Sequence, residues 1–259
     1  MKMNKVLSVA GSDSSGGAGI QADIKTISAF NLYAETAVTA LTAQNTMGVT
    51  DILGTPADFL EKQLTAVFED IFPDAVKIGM IYSAENAEVI AEALEKYHAR
   101  NVVTDTVLIS TSGRRLVSED AQKILMERIF PLSDLITPNL PEAEALTGIT
   151  VRNTEDMKKA AAMLSEQVRG GVLVKGGHLE GKAADLLYYG GKFTFFETDR
   201  INSSNTHGTG CTLSSAIACG LARGLSMEES VQNAKDYITR AISAGLDLGK
   251  GNGPLYHFV

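Results

Sequence analysis

The sequence predicts an α/β protein in which helices cover both faces of a mostly parallel central sheet. Short apolar runs typical of buried strands alternate with segments whose apolar residues recur at helical spacing. The strand-like runs are VLSVAG, AVKIGM, NVVTD, DLITPN and GGVLVKGG. These runs end in glycine or polar residues, and sheets of this kind bind ligands beyond the carboxyl ends of their strands. Candidate site residues are therefore expected at the strand ends.

The length of the chain suits one large α/β domain as well as two small ones, and we expect a single domain spanning residues 1–259. The chain is 44% hydrophobic and 21% charged, which is ordinary for a globular domain of this size. A net charge of −8 without any Lys/Arg-rich run argues against a nucleic-acid partner. The apolar segments are too short for a signal peptide or a membrane span. We therefore expect a cytoplasmic protein with no membrane partner.

The first predicted strand leads into the glycine-rich stretch GSDSSGGAGIQADIK. Residues 17–22 satisfy the dinucleotide pattern G-x-G-x-x-[G/A], and Glu35 follows at a suitable distance, so a dehydrogenase is one hypothesis. Against it, the strand is expected to end near Gly11, which leaves a loop too long for the tight turn of that fingerprint. The other hypothesis is a loop whose backbone approaches a flat ligand, with Asp23 on the next helix facing it.

The segment LTAQNT places Gln44 just past the strand-like AETAVTAL. A carboxamide carries a donor and an acceptor side by side, which matches an amino group next to a ring nitrogen. An aminopyrimidine would fit this side chain. The alternative is a solvent-exposed glutamine in a loop.

Two later elements have clear patterns. The segment ENAEVIAEALEKYH is predicted as an amphipathic helix. Its apolar stripe consists of Val89, Ile90, Ala93, Leu94 and Tyr97. The pair ADLLYYGG and KFTFFET is predicted as an antiparallel hairpin at a sheet edge, turned at Gly190 and Gly191.

In TPNLPEAEALTG, Asn139 and Glu142 stand three residues apart where a strand gives way to a helix. Oxygen ligands of this kind can hold a hydrated Mg²⁺ that bridges phosphate oxygens. The alternative for the glutamate is a purely structural one, because an acidic residue in a first helical turn favours the helix dipole and the cap.

The stretch NTHGTGCTLSS precedes a run of small and apolar residues that is predicted as a helix. Gly208 and Gly210 allow backbone N–H groups to converge at the helix start, which would form an anion hole for a transferred phosphoryl group. The alternative is a glycine-containing helix start that only packs closely. The chain contains no Walker sequence. For Cys211, which follows the glycines, one hypothesis is that the helix N-terminus lowers its pKa and leaves it partly ionised as a general base; the other is that it only shapes the anion hole.

The two cysteines are expected to be reduced. Cys211 and Cys219 lie eight residues apart on one predicted helix, roughly 12 Å along its axis, which is too far for a disulfide. His207 precedes Cys211 by four residues and could form half of a metal site, but no second pair accompanies it.

Taken together, these stretches resemble one family. The stretches that carry the resemblance are GSDSSGGAGIQADIKT, LTAQNTMGV, VKIGM, DTVLISTSG, LITPNLPEAEALTG, VKGGH, NTHGTGCTLSSAIA and GNGPLYHF. In order and spacing, they are similar to the hydroxymethylpyrimidine and phosphomethylpyrimidine kinases of thiamin biosynthesis. The resemblance runs from about residue 5 to the C-terminus. It implies a ribokinase-like three-layer α/β/α fold and the use of ATP and Mg²⁺. It also implies two successive phosphorylations of 4-amino-5-hydroxymethyl-2-methylpyrimidine by a homodimer.

The resemblance also implies roles for individual residues. The pyrimidine pocket would be lined by Gly11, Asp23, Gln44, Met80 and Val107. The nucleotide phosphates would be bound by Asn139, Lys175 and Gly177, and the metal by Glu142 and Asp105. The catalytic group would be Gly208, Gly210 and Cys211, the cysteine standing where ribokinase carries an aspartate base.

Two points remain open at this level. Thr111 stands where many members of the family carry lysine, so it receives no phosphate-binding role. The pyridoxal kinases of the same branch are the alternative function. Gln44 favours the aminopyrimidine, because pyridoxal lacks the adjacent amino and ring-nitrogen edge.

Overall fold

The computed structural model describes residues 3–108, 118–177 and 183–259. Within these ranges, nine strands form one sheet. They are β1 (Lys5–Asp13), β2 (Tyr33–Asn45), β3 (Gly48–Gly54), β4 (Ala75–Ile78), β5 (Val102–Thr104), β6 (Leu135–Ile136), β7 (Gly171–Val174), β8 (Ala183–Tyr189) and β9 (Lys192–Thr198). Their order is β3-β2-β1-β4-β5-β6-β7-β8-β9. The strands from β2 to β7 in this order pair in parallel, and the outer strands β3, β8 and β9 pair antiparallel.

Helices cover both faces of the sheet. They are α1 (Gly19–Ala29), α2 (Ala57–Asp70), α3 (Ala84–Lys96), α4 (Glu119–Ile124), α5 (Leu140–Thr147), α6 (Thr154–Ser165), α7 (Thr209–Ala222) and α8 (Met227–Ser243). One apolar core joins the sheet to α2–α6 and the other joins it to α1, α7 and α8. The predicted three-layer α/β/α architecture is confirmed.

The predicted strands and the hairpin at 183–198 are present in the expected order. The structure differs from the prediction based on the sequence at two points. Gln44 lies inside β2, which extends to Asn45. Strand β3 was not predicted, because most of its residues are exposed or half-buried and its sequence GVTDILG has no clear alternation.

Helix α7 lies in the middle of one face, and every residue from Thr212 to Ala222 is buried. Small residues along this helix allow the close packing that such a position requires. The helix is capped by Gly208 at φ +84°, a left-handed conformation that favours glycine. None of the described helices is long and apolar enough to cross a membrane.

Candidate active site

The carboxyl ends of β5 and β7 and the start of α7 meet at a charged cluster. Lys175 Nζ lies 2.8 Å from Oδ1 of Asp105, and Thr137 donates to the same oxygen at 3.0 Å. Burial by itself would raise the pKa of Asp105, but the charges of Lys175 and Lys77 outweigh it and lower that pKa. Burial opposes the charge of Lys175 as well, yet Asp105 and Glu142 raise its pKa. Both members of the pair are therefore ionised.

Asn139 and Glu142 form a capping box at the start of α5. The Asn139 side chain accepts from the Glu142 N–H at 2.9 Å, and Glu142 Oε2 accepts from the Asn139 N–H at 2.8 Å. Thr106 donates to the same Oε2 at 3.0 Å. Glu142 thus caps α5, which is the structural role that the sequence analysis gave as the alternative to metal binding. Burial raises the pKa of Glu142, Lys175 opposes the rise and Asp105 adds to it.

The donor set fits a hydrated magnesium ion. Glu142 and Asp105 are two buried carboxylates that act electrostatically on one another, and a divalent cation would relieve their repulsion. The described residues contain no group of three or more His, Cys, Asp or Glu side chains that could hold a metal. Mg²⁺ commonly binds through one or two carboxylates together with waters and substrate phosphates, so it needs no larger group.

The start of α7 has the features of an anion hole. No side chain among the described residues caps it, and its first turn contains no acidic residue, so this helix start can bind an anion through its N–H groups. A Cβ on Gly208 would collide with the carbonyl oxygen of Gly17. A Cβ on Gly210 would lie 3.1 Å from Oδ2 of Asp105 and 3.4 Å from Nζ of Lys175. The helix start therefore faces the charged cluster at close range.

Cys211 lies half-buried in the first turn of α7 and is a free thiol, as is the buried Cys219. Burial raises the pKa of Cys211 to about 11, with further contributions from Asp23 and Asp105 and an opposing one from Lys77. The prediction that the helix start leaves Cys211 partly ionised at neutral pH is wrong. Desolvation outweighs the favourable position at the helix start, so the group is a neutral thiol.

The apolar side of the site contains three predicted pocket residues. Gly11 and Met80 are in contact, since a Cβ on Gly11 would lie 2.5 Å from Cε of Met80. Met80 is buried, and its carbonyl accepts from Thr39 at 2.6 Å. Val107 lies half-buried two residues after Asp105. The missing Cβ of Gly11 makes room for the methionine.

Asp23 is in a different environment from the one expected. It is fully buried, with both oxygens 2.9 Å from Nζ of the fully buried Lys77. Ser8 and Ser215 donate to it at 2.5 and 2.8 Å. The carboxylate therefore joins β1, α1, β4 and α7 in the interior instead of facing a ligand. Sequence reasoning missed Lys77, and the only signal was a lysine inside the apolar run AVKIGM.

Gln44 belongs to a polar group with Asp13 and His207. Its side-chain nitrogen lies 3.2 Å from Nε2 of His207, which lies 2.8 Å from Oδ2 of Asp13. Asp13 also accepts the backbone N–H groups of Ser15, Gly17 and Ala18. Burial would raise the pKa of Asp13, but these hydrogen bonds, led by that of His207, hold it well below its usual range. His207 thus contacts a carboxylate and an amide rather than Cys211.

Glu35 is far from the glycine-rich loop. It is paired with Leu7 near the amino end of β1, and the loop follows Asp13 at the other end, roughly 20 Å away at the rise of a strand. The acidic partner that the dehydrogenase hypothesis requires is therefore in the wrong place.

Two further positions from the sequence analysis are Gly177 and Thr111. Gly177 lies in the turn after Lys175, where its carbonyl accepts from Arg200 at 2.9 Å. Thr111 lies outside the described residues.

Comparisons with known proteins identify the family of this chain. The family model described as phosphomethylpyrimidine kinase matches residues 13–256. The hydroxymethylpyrimidine/phosphomethylpyrimidine kinase of Rhizobium meliloti is 46% identical over 256 residues, covering 97% of this chain and 96% of that protein. The thiamine biosynthesis bifunctional protein of Geobacter sulfurreducens is 50% identical over 98% of this chain. This chain spans about half of that protein's length, 52%.

Solved structures share the fold. A crystal structure of phosphomethylpyrimidine kinase from Clostridium difficile has a TM-score of 0.83 and 46% identity, covering 92% of this chain and 99% of that one. The Bacillus subtilis pyridoxal kinase in its ADP complex has a TM-score of 0.92 and 35% identity, covering 99% and 98%. The family model matches residues 13–256 of this chain, and the curated relatives are more than 40% identical to it. This chain therefore belongs to the phosphomethylpyrimidine kinase family.

Proposed function

We propose that this chain transfers the γ-phosphoryl group of ATP to 4-amino-5-hydroxymethyl-2-methylpyrimidine and then to the resulting monophosphate, giving the pyrophosphate used in thiamin biosynthesis. The family match over residues 13–256 carries this proposal. The names of the Rhizobium and Geobacter relatives support it. Pyridoxal kinase is the second candidate, since the Bacillus pyridoxal kinase has the same fold.

On the phosphate side, the proposal uses the cluster around Asp105 and the start of α7. Lys175, Asn139 and Gly177 would contact the nucleotide phosphates, and Gly208 and Gly210 would donate backbone N–H groups to the transferred group. Glu142 and Asp105 would hold Mg²⁺, which neutralises phosphate charge when bound. Catalysis of phosphoryl transfer consists mainly of positioning the reactants and stabilising charge. A cluster of this kind can supply both.

On the acceptor side, Gly11, Met80 and Val107 would form the apolar wall, and Gln44 would bind the amino and ring-nitrogen edge. Asp23 would act through Lys77 and Ser215, by holding α7 against the sheet below Cys211. Cys211 would lie at the acceptor hydroxyl as a neutral thiol.

We also propose that this chain is a cytoplasmic, single-domain kinase and that it acts as a homodimer. Leu41 and Leu53 support the dimer: they are cross-strand partners on β2 and β3, with 52% and 69% of their surface exposed. Exposed apolar pairs of this kind are typical of interfaces.

The decisive experiment compares ATP turnover with the hydroxymethylpyrimidine, with pyridoxal and without acceptor, each with Mg²⁺ and with chelator. We expect the pyrimidine to have the highest kcat/KM and to need Mg²⁺. In Gln44→Met, KM for the pyrimidine should rise by about 5- to 150-fold, the equivalent of roughly 1 to 3 kcal/mol, while KM for pyridoxal stays unchanged. A preference of the wild type for pyridoxal would favour the second candidate.

A further inference from the structure

The hydrogen atoms available around Gln44 do not match the present contacts of its side chain. Oδ2 of Asp13 lies 2.8 Å from Nε2 of His207 and also accepts the N–H groups of Gly17 and Ala18. An ionised carboxylate can only accept, so Nε2 of His207 must carry a proton and donate it. The nitrogen of the Gln44 carboxamide, 3.2 Å from that same Nε2, is also a donor. Two donors thus face each other.

The other end of the carboxamide has the same conflict. The Thr42 hydroxyl lies 2.9 Å from the carbonyl oxygen of Ser12 and 3.1 Å from Oε1 of Gln44. A hydroxyl has one hydrogen, and both of these partners are acceptors. The threonine cannot donate to both.

Turning the carboxamide by 180° leaves the shape almost unchanged because the oxygen and nitrogen are nearly equal in size. It replaces the donor–donor contact by a three-centre hydrogen bond, in which the one Nε2–H of His207 is shared between Oδ2 of Asp13 at 2.8 Å and Oε1 of Gln44 at 3.2 Å. The carboxamide nitrogen donates to the Thr42 oxygen, and Thr42 is free to donate to Ser12. We propose that His207, held by Asp13, is a positioning residue that fixes the orientation of the Gln44 carboxamide and thereby sets the enzyme's preference for an aminopyrimidine edge.

This proposal rests on the proposed function and deepens it. A carboxamide has two acceptor lone pairs and two N–H donors. His207 uses one lone pair and Thr42 pairs with one N–H, so one acceptor and one donor remain for the ligand. That remainder matches an amino group beside a ring nitrogen. The backbone of Gln44 is fixed as well, since its N–H donates to Ser14 Oγ at 2.9 Å and its carbonyl accepts from it at 2.8 Å.

The test is a double-mutant cycle of His207→Phe and Gln44→Met. Phe keeps a planar ring against Gly17, which contacts His207, but cannot donate. We expect His207→Phe to raise KM for the hydroxymethylpyrimidine by about 3- to 10-fold, the range of one hydrogen bond, with little change in kcat and none in KM for pyridoxal. In the Gln44→Met background, His207→Phe should have no further effect on KM. An equal loss in both backgrounds would overturn the proposal.

Further variants separate positioning from folding. His207→Gln retains an N–H donor and should restore most of the preference for the pyrimidine. His257→Phe removes another buried histidine near α7, which bonds Thr212 at 3.0 Å, and should leave the ratio of the two KM values unchanged. If His257→Phe changes the ratio as His207→Phe does, the role of His207 is only structural.

A measurement without turnover separates this proposal from the proposed function. In protein labelled with ¹⁵N in histidine and glutamine, the wild type should show His207 protonated on Nε2 and the Gln44 amide hydrogens not bonded to that nitrogen. Nε2 without a proton would overturn the orientation whatever substrate the enzyme prefers. If turnover of the pyrimidine is absent while Nε2 is protonated, the proposed function is at fault instead.

Discussion

Single residues in this molecule are governed by burial more than by local sequence. Lys77 has no exposed side-chain surface, and its charge is retained because Asp23 faces it at 2.9 Å. Burial raises the pKa of the half-buried Cys211 thiol to about 11, although the charge of Lys77 opposes the rise. Glu35 is 7% exposed, and within the part of the chain that the structure describes neither of its carboxylate oxygens has a hydrogen-bond partner. These environments determine which groups are charged at neutral pH.

Cys211→Ala should slow the first phosphorylation by less than about tenfold at pH 7. A general base contributes roughly 10²- to 10⁴-fold, but a thiol with a pKa of about 11 is ionised in only about one molecule in ten thousand at pH 7, so the two effects nearly cancel. Both steps should be timed separately, with preformed monophosphate as the second substrate. A loss above a hundredfold in the first step alone would mean that bound substrate ionises the thiol.

Glu35→Gln should stabilise the protein in alkaline solution. Burial raises the pKa of Glu35 from 4.5 to about 7, with Lys5 opposing the rise. The folded state then binds more protons than the unfolded state between these values, so wild-type stability falls as the pH rises through this window. The full shift corresponds to roughly 3 kcal/mol. Urea unfolding at pH 5 and pH 8 should show a gain for the variant only at pH 8, and the exposed Glu61→Gln should show none.

At the scale of the element, the two helix N-termini at the candidate site differ in how their first N–H groups are capped. Helix α5 begins with a capping box in which Asn139 and Glu142 satisfy each other's N–H groups. Helix α7 has Gly208 as its N-cap residue, and no side chain of the described ranges caps it. The first arrangement closes the helix start, and the second leaves N–H groups available to an anion.

Replacement of Glu142 should separate its two roles. Glutamine can still accept from the Asn139 N–H, so Glu142→Gln should keep the cap, whereas Glu142→Ala should lose about 1 kcal/mol of stability. Both variants should need more Mg²⁺ for half-maximal turnover and bind the pyrimidine normally by calorimetry. If Glu142→Gln titrates with Mg²⁺ like the wild type, its carboxylate does not hold the metal.

Gly208→Ala and Gly224→Ala form a matched pair. Both glycines have left-handed φ angles, +84° and +79°, but a Cβ meets the Gly17 carbonyl only at Gly208 and has open space at Gly224. Gly224→Ala should cost about 1 kcal/mol of backbone strain and leave kcat unchanged. Gly208→Ala should cost more and lower kcat, because the loop at Gly17 must move. Equal unfolding free energies with equal kcat would show that the contact with Gly17 is unimportant.

At the scale of the whole molecule, one continuous sheet carries the site along the carboxyl ends of its parallel strands. The antiparallel strand β3 extends the sheet on one side, and the pair β8 and β9 extends it on the other. We propose the whole chain as one domain on this basis. The β3 side bears exposed Leu53 and Met47, at 69% and 66% of their surface, where the proposed homodimer would form.

Leu53→Glu should convert the proposed dimer to a monomer, because a charge in an apolar contact must be desolvated without a partner. Sedimentation velocity at several protein concentrations measures the change. Met163→Glu, at a 43% exposed position on α6, serves as the control and should leave the oligomer intact. A wild type that sediments as a monomer at all concentrations would refute the dimer.

The pattern of the sequence determined the architecture. Alternating apolar runs predicted the parallel strands and helices in order, because burial on both faces requires continuous apolar strands. Local turn chemistry predicted the hairpin at Gly190 and Gly191, which have φ +57° and +76°. Strand β3, which is largely exposed, has neither a continuous apolar run nor a clear alternation in its sequence. Its position depends on pairing with β2.

The sequence by itself also placed the candidate residues Asn139 and Lys175 just after strands and the candidate Gly208 at a helix start. Only the tertiary structure decided their states. The ion pair of Asp23 with Lys77 joins residues 54 positions apart, and the contact of His207 with Asp13 joins residues 194 apart. A pKa depends on desolvation and on charges that arrive from distant segments. Local sequence contains neither quantity, and for this reason it predicted a partly ionised Cys211 where the fold makes a neutral thiol.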